Sequence, residues 1–585
     1  MNLYKKLFRS LKEFKKASLL TPFYVSFEVA IEVGIPYLMA SLIDLGIDDA
    51  NMSVIVNLGI ALFIAAFIKI IFGGLAGRSA AIAAAGFAKN LRKDMFYKVQ
   101  DFSFANLDKF STSSVVTRLT TDVTNVQNSY QMVIRLASKA PILLLFSLFA
   151  AFQINHELSL IFLAVMPILA IGMYLIIKNA HPIFRRVFKT YDKLNRVVQE
   201  NIRGIRVVKS FVREDYEVSK FKDISKEIHD DFVKAEKTLA FNMPLMQFTI
   251  YAAMILLSWF GARLIIISGA DPVGGLTTGQ LMSLITYTMQ ILMSLMMLSF
   301  VLVMIVISRA STERIVELLE EESDLTNPPN GITTLSDGSI EFKNVSFEYA
   351  KSSEKYVLDN INLSIKSGQT IGILGGTGSS KTSLVQLIPR LYDTTKGEVL
   401  VSNVNVKNID LNTLRDHVGM VLQKNVLFSG TIKENLRWGN ENATDQEIEE
   451  ACKIAQAHDF IMSFQDGYQT YIEQGGSNVS GGQKQRLTIA RALLKKPKIL
   501  VLDDSTSAVD TKTDARLRKE LLHTMPDVTK IFIAQRVDSV MDADTIVVMD
   551  DGKINGIGTH QELLLNNKIY QEVYESQQKG EKDYD

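Results

Sequence analysis

The 585-residue chain carries 63 basic and 63 acidic residues, so it lacks the basic excess that holds nucleic acids, and no nucleic-acid partner is expected. Its one cysteine, Cys452, excludes a disulfide within the chain and fits a reducing compartment. Hydrophobic residues make up 47% of the chain and are concentrated before about residue 310. The composition therefore predicts a membrane region followed by a more polar, soluble region.

The N-terminal stretch Tyr4–Lys16 predicts an amphipathic helix. Leu7, Leu11 and Phe14 fall on one helical face and Lys and Arg on the other, which is typical of a helix lying on a membrane surface. A solvated basic lead-in to the first span is the alternative. No small-residue cleavage site follows, so a cleavable signal peptide is not expected.

Six apolar segments come next, each near or above the roughly 20 residues that a helix needs to cross a bilayer. They lie near residues 18–43, 53–86, 127–154, 158–180, 239–268 and 278–310. Several are longer than a membrane requires, so we expect them to continue as helices into water. The segments 88–98 and 182–220 are rich in Lys and Arg, which predicts cytoplasmic termini and two long cytoplasmic loops in a multi-pass cell-membrane protein.

Each of these loops contains a short element of mixed polar and apolar residues. The first holds Phe110–Ser114, followed by Arg118, Asp122 and Asn125, and the second holds Glu200–Phe211. We interpret both as docking elements for another domain. As plain solvated loops, they would leave apolar side chains such as Val207 in water.

Three ionisable residues fall inside the predicted spans. Glu28 and Glu32 are four apart and share one face of the first span, and Lys69 lies in the second. Charges at such depth mark a transport pathway or form a buried ion pair, and the sequence leaves both possibilities open. On the first, Glu28 and Glu32 belong to a substrate pathway that favours cations.

The boundaries follow from composition. Residues 1–320 are predicted to form the transmembrane domain, 321–338 a polar linker rich in Pro, Asn and Gly, and 339–585 a nucleotide-binding domain. In the last of these, strand-like apolar runs alternate with helical segments, as in an α/β domain.

A phosphate-binding loop lies between the strand pattern at 370–374 and a helical run. Backbone N–H groups around Gly378 would hold the phosphates, Lys381 would reach the β- and γ-oxygens, and Thr382 would ligate Mg²⁺. Ser380 stands where the pattern has Gly, which costs little at negative φ and about 1 kcal/mol or more at positive φ. The residues assigned to ATP here are Gly375, Gly376, Thr377, Gly378, Ser379, Ser380, Lys381, Thr382 and Ser383.

Three further features accompany this loop. Gln423 follows a short apolar run, and a Ser-Gly-Gly turn precedes a helix at 480–482, a shape that binds anions through amides and the helix dipole. The buried-strand pattern at 499–502 ends in two carboxylates, Asp503 and Asp504. Parallel strands of this kind place ligands at their carboxyl ends.

The order of these motifs, over 375–382, 423, 480–483, 499–510 and 535, resembles that of ABC exporter half-transporters over essentially the whole chain. The resemblance implies an α-helical membrane domain of six transmembrane helices with long cytoplasmic extensions, plus an α/β P-loop ABC ATPase domain. It also implies ATP and Mg²⁺ as cofactors.

The same resemblance assigns roles to residues. Tyr349 would stack on adenine, Gln423 would sense the γ-phosphate, and Thr382, Gln423 and Asp503 would hold the metal. Residues Thr470 to Gly476 and the two loops would transmit the change to the membrane helices. The signature residues that would contact ATP on the opposite subunit are Ser480, Gly481, Gly482 and Gln483.

Departures from the family pattern define the functional hypothesis. Asp504 replaces the usual Glu general base and is one methylene shorter, and Gln535 replaces the usual switch His and cannot carry a positive charge. With Ser380 beside them and the signature turn intact, the chain resembles the degenerate-site subunit of heterodimeric bacterial multidrug exporters. Its signature would complete a hydrolytic site whose Glu and His come from a second half-transporter.

We therefore expect an ATP-driven exporter that moves amphipathic drugs or lipids across the bilayer by alternating access. A nucleotide-gated regulatory membrane protein and a slow homodimeric exporter are the alternatives. The six predicted spans exclude a soluble DNA-repair ATPase of the same superfamily.

Overall fold

The computed structural model describes residues 3–268, 275–349, 355–503 and 510–582. The chain forms two compact units. The first comprises Met1–Gln100 and Thr112–Glu321, and the second comprises Asp101–Ser111 and Glu322–Asp585. The second unit thus includes most of the predicted linker and a short segment of the first loop.

The described part of the chain up to residue 320 is helical. Its α-helices are α1 (Leu3–Leu7), α2 (Lys15–Leu42), α3 (Met52–Gln100), α4 (Phe104–Lys109), α5 (Thr112–Thr117), α6 (Val123–Ile154), α7 (His156–Arg203), α8 (Ile205–Ser210), α9 (Glu214–Ala240), α10 (Asn242–Ser268) and α11 (Thr278–Glu320). A 3₁₀ segment (Phe8–Phe14) and two π-helical turns (Ile43–Asp48 and Arg118–Asp122) join some of them.

Six of the helical stretches in the described residues are long and apolar enough to cross a membrane. They run over Lys5–Asp48, Met52–Gln100, Thr112–Ile154, His156–Arg203, Glu214–Ile267 and Thr278–Glu320. Each contains between 43 and 54 residues, about twice the length that a bilayer requires. The prediction of six spans with long helical extensions is confirmed.

Three side chains of α11 donate hydrogen bonds to backbone carbonyls of α2 near Pro36. Pro36 has no N–H, so the carbonyl of Glu32 one turn earlier lacks its helical donor. Gln290 supplies one, because its Nε2 donates to Glu32 O at 3.1 Å. Tyr287 donates to Val33 O at 2.8 Å and Ser283 to Pro36 O at 2.6 Å. Gln290 therefore satisfies a carbonyl that lipid could not.

The N-terminal segment packs on α3. The Ser10 hydroxyl donates to Asp94 Oδ2 at 2.8 Å, and Lys12 pairs with the same carboxylate. The Phe14 ring lies over Gly86, where a Cβ would come within 2.3 Å of it. The segment predicted to lie on a membrane surface therefore has part of its polar side engaged by a helix of its own unit.

The twelve strands of the described residues all lie in the second unit. They are β1 (Ile340–Phe347), β2 (Leu358–Ile365), β3 (Thr370–Leu374), β4 (Lys396–Val401), β5 (Val404–Asn405), β6 (Val418–Val421), β7 (Gly430–Thr431), β8 (Tyr471–Ile472), β9 (Ile499–Asp503), β10 (Thr529–Ala534), β11 (Thr545–Asp550) and β12 (Lys553–Gly558). Among the described residues they form sheets in the orders β2-β1-β4-β5, β12-β11-β3-β10-β9-β6 and β7-β8.

The helices of the second unit connect these strands. They are α12 (Lys381–Gln386), α13 (Leu411–His417), α14 (Ile432–Arg437), α15 (Asp445–Ile454), α16 (His458–Met462), α17 (Gly481–Leu494), α18 (Thr511–Thr524), α19 (His560–Asn566) and α20 (Lys568–Lys582).

The larger sheet separates two apolar cores. In β9, Leu500 and Leu502 pack into one core, whereas Ile499 and Val501 pack into the other, as the alternation of side chains along a strand requires. Five neighbouring strands of this sheet, β11, β3, β10, β9 and β6, run parallel to one another. The carboxyl ends of β3, β9 and β10 consequently meet at one edge, where a ligand site is expected.

Candidate nucleotide site

The loop between β3 and α12 begins at a glycine that no other residue could replace without movement. A Cβ on Gly375 would lie 2.4 Å from the carbonyl oxygen of Met549. Gly378 has a φ of +87°, a conformation that glycine adopts without strain. The loop therefore turns tightly from the buried strand into the helix, with backbone amides near the helix N-terminus, where anions are favoured.

The Lys381 side chain lies within this loop. Its Nζ donates to Gly375 O and Gly376 O, each at 2.8 Å, and to Ser379 Oγ at 3.2 Å. The residue is buried, with 8% of its surface exposed. An ammonium held at this point can reach phosphate oxygens bound by the loop amides, as the motif predicts.

Ser380 adopts the positive-φ conformation that is costly for a residue other than glycine. It precedes α12 with φ of +71° and ψ of 23°, in the left-handed region that favours glycine. The serine therefore carries backbone strain of about 1 kcal/mol that a glycine would not.

A cleft of 260 Å³ collects most of the predicted phosphate and metal residues. In it, Thr382 Oγ1 donates to Asp503 Oδ1 at 3.0 Å. Its lining includes Thr377, Gly378, Ser380, Lys381, Thr382, Ser383, Gln423, Asp503, Ile533 and Gln535.

The donors in the cleft fit Mg²⁺ on a nucleotide. Thr382 offers a hydroxyl, Gln423 an amide oxygen and Asp503 a carboxylate. Mg²⁺ on a nucleotide typically takes one or two protein carboxylates, and phosphate and water supply most of its other oxygen ligands. The described residues contain no group of three or more His, Cys, Asp or Glu that could hold a metal alone. This arrangement suits a metal that arrives with phosphate.

The two altered catalytic positions are Gln535 and Asp504. Gln535 directly follows β10 and lines the cleft, as predicted for a switch position. Asp504 lies outside the described residues, so its weakened role as a base stays a prediction.

Tyr349 stands beside the phosphate helix. Its hydroxyl and Ser383 Oγ are 2.8 Å apart, and its ring packs edge-on against Phe347 and Tyr392. Partial burial raises the pKa of Tyr349, so the phenol is neutral at physiological pH. Tyr349 as a whole residue is 47% exposed, which leaves room for the predicted stacking on adenine.

The signature residues are placed apart from this cleft. Ser480 caps α17: its Oγ accepts from Gln483 N at 3.3 Å, and its own N donates to Gln483 Oε1 at 2.9 Å. Ser480 and Gly481 are exposed at the N-terminus of α17, where the helix dipole favours an anion. Among the described residues that line the cleft, none comes from 480–483.

The three segments predicted to transmit motion are the two cytoplasmic loops and the stretch from Thr470 to Gly476, and they differ in how far they are buried. Residues 101–111 belong to the second unit, where Tyr392 donates to Asp108 Oδ2 at 2.7 Å and Phe104 contacts the Tyr392 ring. In the second loop Val207 and Phe211 are 59% and 73% exposed. Of the stretch from Thr470 to Gly476, Ile472 is buried in β8 and Tyr471 is exposed.

The carboxylates of the first span are ion-paired. Lys139 of α6 lies 2.7 Å from Glu28 Oε1 and 3.0 Å from Glu32 Oε2, and Lys69 lies 3.6 Å from Glu32. Lys139 was not predicted as a partner of these carboxylates, although it is a lysine inside the third apolar segment, just as Lys69 is a lysine inside the second. Two lysines balance two carboxylates, which favours a buried ion-pair network over a substrate pathway. The role of Glu28 and Glu32 in a substrate pathway stays a prediction.

Comparisons with known proteins cover both units. The family model described as "ABC transporter transmembrane region" matches residues 20–296, and that described as "ABC transporter" matches residues 358–507. The uncharacterized ABC transporter ATP-binding protein YfiB of Bacillus subtilis is 37% identical over 94% of this chain and 94% of its own length. YknU of the same organism, also uncharacterized, is 36% identical over 83% of this chain and 82% of its own.

A solved structure shares the fold. It is described as a bacterial Atm1-family ABC exporter with ATP bound, and it superposes with a TM-score of 0.79 over 97% of this chain and 98% of its own. At 22% identity the likeness concerns the fold alone.

Proposed function

We propose that this chain, which belongs to the ABC transporter family and fuses a transmembrane region with an ATPase domain, is a half-transporter that exports amphipathic compounds as one half of a heterodimer. ATP binding would close two nucleotide-binding domains and turn the membrane helices outward, and hydrolysis would reset them. The basic segments 88–98 and 182–220 support a cytoplasmic position for the ATPase domain in a cell-membrane protein.

The observation that carries the heterodimer is the contrast between the cleft and the signature turn. The cleft of this chain contains a strained serine at 380 and an uncharged amide at 535. The signature turn, by comparison, is fully capped and presents Ser480 and Gly481 at the surface. A chain that has lost catalytic groups at its own site but keeps the part lent to a partner fits an asymmetric pair.

Binding at the chain's own site would rest on the groups that remain. Lys381 and the loop amides would hold phosphate, and Thr382, Gln423 and Asp503 would hold Mg²⁺, which neutralises charge on the transferring phosphoryl group. Asp504 is one methylene shorter than the usual Glu, so it would orient water poorly. This site would bind ATP and turn it over slowly.

Exposed apolar side chains in the second loop are further support for a partner subunit. A helix end that leaves Val207 and Phe211 exposed outside the predicted spans calls for a covering surface, and a second half-transporter would supply one. Half-transporters of this fold generally dimerise, and the heterodimer adds that the two halves differ.

The test is ATP hydrolysis by the purified pair in lipid. The partner is identified as a co-purifying half-transporter with Glu and His at the positions of Asp504 and Gln535. Replacing its Glu with Gln should lower turnover by about 100-fold or more, whereas Asp504→Asn in this chain should leave most of it. Hydrolysis that survives loss of the partner's Glu would refute the division of labour.

Two further measurements separate the alternatives. Robust, transport-coupled turnover by this chain alone would favour the homodimer, and ATP binding without any substrate movement would favour the regulatory protein. For the substrate, transport of cationic dyes is compared between the wild type and a Glu28→Gln, Glu32→Gln double variant. Unchanged dye transport would remove both carboxylates from the pathway.

A further inference from the structure

The backbone around the switch position is held by one side chain of the C-terminal helix. Gln577 in α20 donates through Nε2 to Gln535 O at 2.9 Å. Its Oε1 accepts from Val537 N, also at 2.9 Å. A single side-chain amide thus bonds to the backbone before and after Arg536, directly after the end of β10.

The helix that carries Gln577 is firmly anchored. Tyr570, two turns earlier, is fully buried, and its hydroxyl lies 2.6 Å from His560 Nδ1. Val573 and Tyr574 pack against the same apolar core. Gln577 therefore projects from a fixed helix, so its amide can restrain a loop rather than follow it.

The loop is restrained from a second direction. Arg518 of α18 donates through NH1 to Asp538 O at 2.6 Å, and Val537 itself is completely buried. Gln535 stands between this tethered turn and the end of β10. Its backbone is therefore held next to two tethered points, and the residue lines the cleft.

We propose that Gln577 is a positioning residue for the nucleotide site: it fixes the backbone of Gln535 and Val537 so that residue 535 faces the terminal phosphate of ATP. The helix lies beyond the residues 358–507 that the family model matches. The inference rests on the proposed role of Gln535 at the γ-phosphate. Because an amide in place of His cannot be drawn to phosphate by charge, its placement depends on the backbone.

The chain offers a matched control. Gln571 lies on the same helix, and its Nε2 donates to Leu564 O at 2.6 Å, within the C-terminal region itself. Gln577→Met removes both hydrogen bonds at nearly equal side-chain length, and Gln571→Met removes one bond that does not involve the switch. Gln577→Glu keeps an acceptor for Val537 N and places a carboxylate against Gln535 O.

The experiment measures binding of fluorescent MgATP and MgADP analogues by the full-length chain in lipid nanodiscs. We expect Gln577→Met and Gln577→Glu to weaken MgATP binding about three- to tenfold, the size expected for one or two neutral hydrogen bonds. MgADP has no γ-phosphate, so its binding should stay unchanged. Gln571→Met should bind both nucleotides as the wild type does.

Hydrogen exchange of the backbone amides at residues 535–537 is the second readout. In the absence of nucleotide, Gln577→Met should accelerate this exchange. Equal loss of MgATP and MgADP binding would indicate a structural role, and unchanged MgATP binding or exchange would likewise overturn the inference. Gln535→Ala separates this outcome from failure of the proposed function. If that variant binds MgATP normally while Gln577→Met does not, Gln577 positions the loop but residue 535 is not its phosphate contact.

Discussion

Thr382 donates a hydrogen bond of 3.0 Å from Oγ1 to Oδ1 of Asp503 and so joins the start of α12 to the end of β9. The two residues are 121 positions apart in sequence. They meet because β3 and β9 flank β10 in a parallel arrangement, which brings their carboxyl ends to one edge. A hydroxyl and a buried carboxylate at that edge are suited to Mg²⁺.

Asp503→Asn tests this pairing. Asparagine can still accept the Thr382 hydrogen bond but lacks the negative charge, so the affinity for ATP in the presence of Mg²⁺ should fall about 10- to 100-fold. ATP binding measured in a chelator should change little. Asp550→Asn, at the exposed end of β11, is the control and should behave as the wild type. An Asp503→Asn variant with full Mg²⁺-dependent affinity would contradict the assignment.

Ser380→Gly should strengthen the site. The serine holds a φ of +71°, and glycine relieves that strain, for an expected gain of up to about 1 kcal/mol in MgATP binding or in stability. The measurements are MgATP affinity and the thermal midpoint of unfolding. Ser379→Gly, one residue earlier, removes the hydrogen bond of 2.9 Å from its Oγ to Gly376 O and should bring no gain. A wild-type result for Ser380→Gly would show that the left-handed conformation is not costly here.

The sequence was sufficient for the parts of the fold that depend on local pattern. Apolar length predicted the six spans, and the strand at 499–502 followed by Asp503 predicted the edge where the cleft lies. The φ of Ser380 could not be predicted, because serine permits both alternatives and the loop geometry selects one.

Contacts distant in sequence were harder to predict. Gln577 and Gln535 are 42 residues apart, and nothing in the composition of α20 indicates that one of its glutamines faces the switch. Lys139 was visible as a charge in an apolar segment, but its pairing with two carboxylates depends on how α2 and α6 pack. Such pairings come from tertiary structure and carry no local sequence signal.

Lys139→Met should destabilise the membrane unit. It leaves Glu28 and Glu32 side by side without the lysine that pairs with both, and an uncompensated buried charge costs about 3–5 kcal/mol. The measurement is thermal unfolding of the full-length chain in detergent. Adding Glu28→Gln should recover a large part of the loss, because the charge left behind is then removed.

Lys69→Met is the comparison for that experiment. Lys69 is 3.6 Å from Glu32 and its side chain is 34% exposed, so its removal should cost less. Equal effects of Lys69→Met and Lys139→Met, or no recovery with Glu28→Gln, would be incompatible with a network centred on Lys139.

Cys452 should be inert in the folded protein. It is completely buried in α15, and burial raises the pKa of its thiol from 9.0 to about 12. Since the thiolate is the reactive form, a thiol reagent at pH 8 should label the chain only after denaturation. As the one cysteine in the sequence, it gives an unambiguous signal. Rapid stoichiometric labelling of the native protein would contradict this burial.

The same thiol predicts a pH dependence of stability. A group whose folded pKa is raised contributes stability that is fully present below its unfolded pKa and is lost as pH rises through the folded pKa. For Cys452 that window runs from pH 9.0 to about 12. Between pH 8 and pH 10.5, the thermal midpoint of the wild type should therefore fall further than that of Cys452→Ala. Parallel curves for the two proteins would show that the thiol does not titrate differently on unfolding.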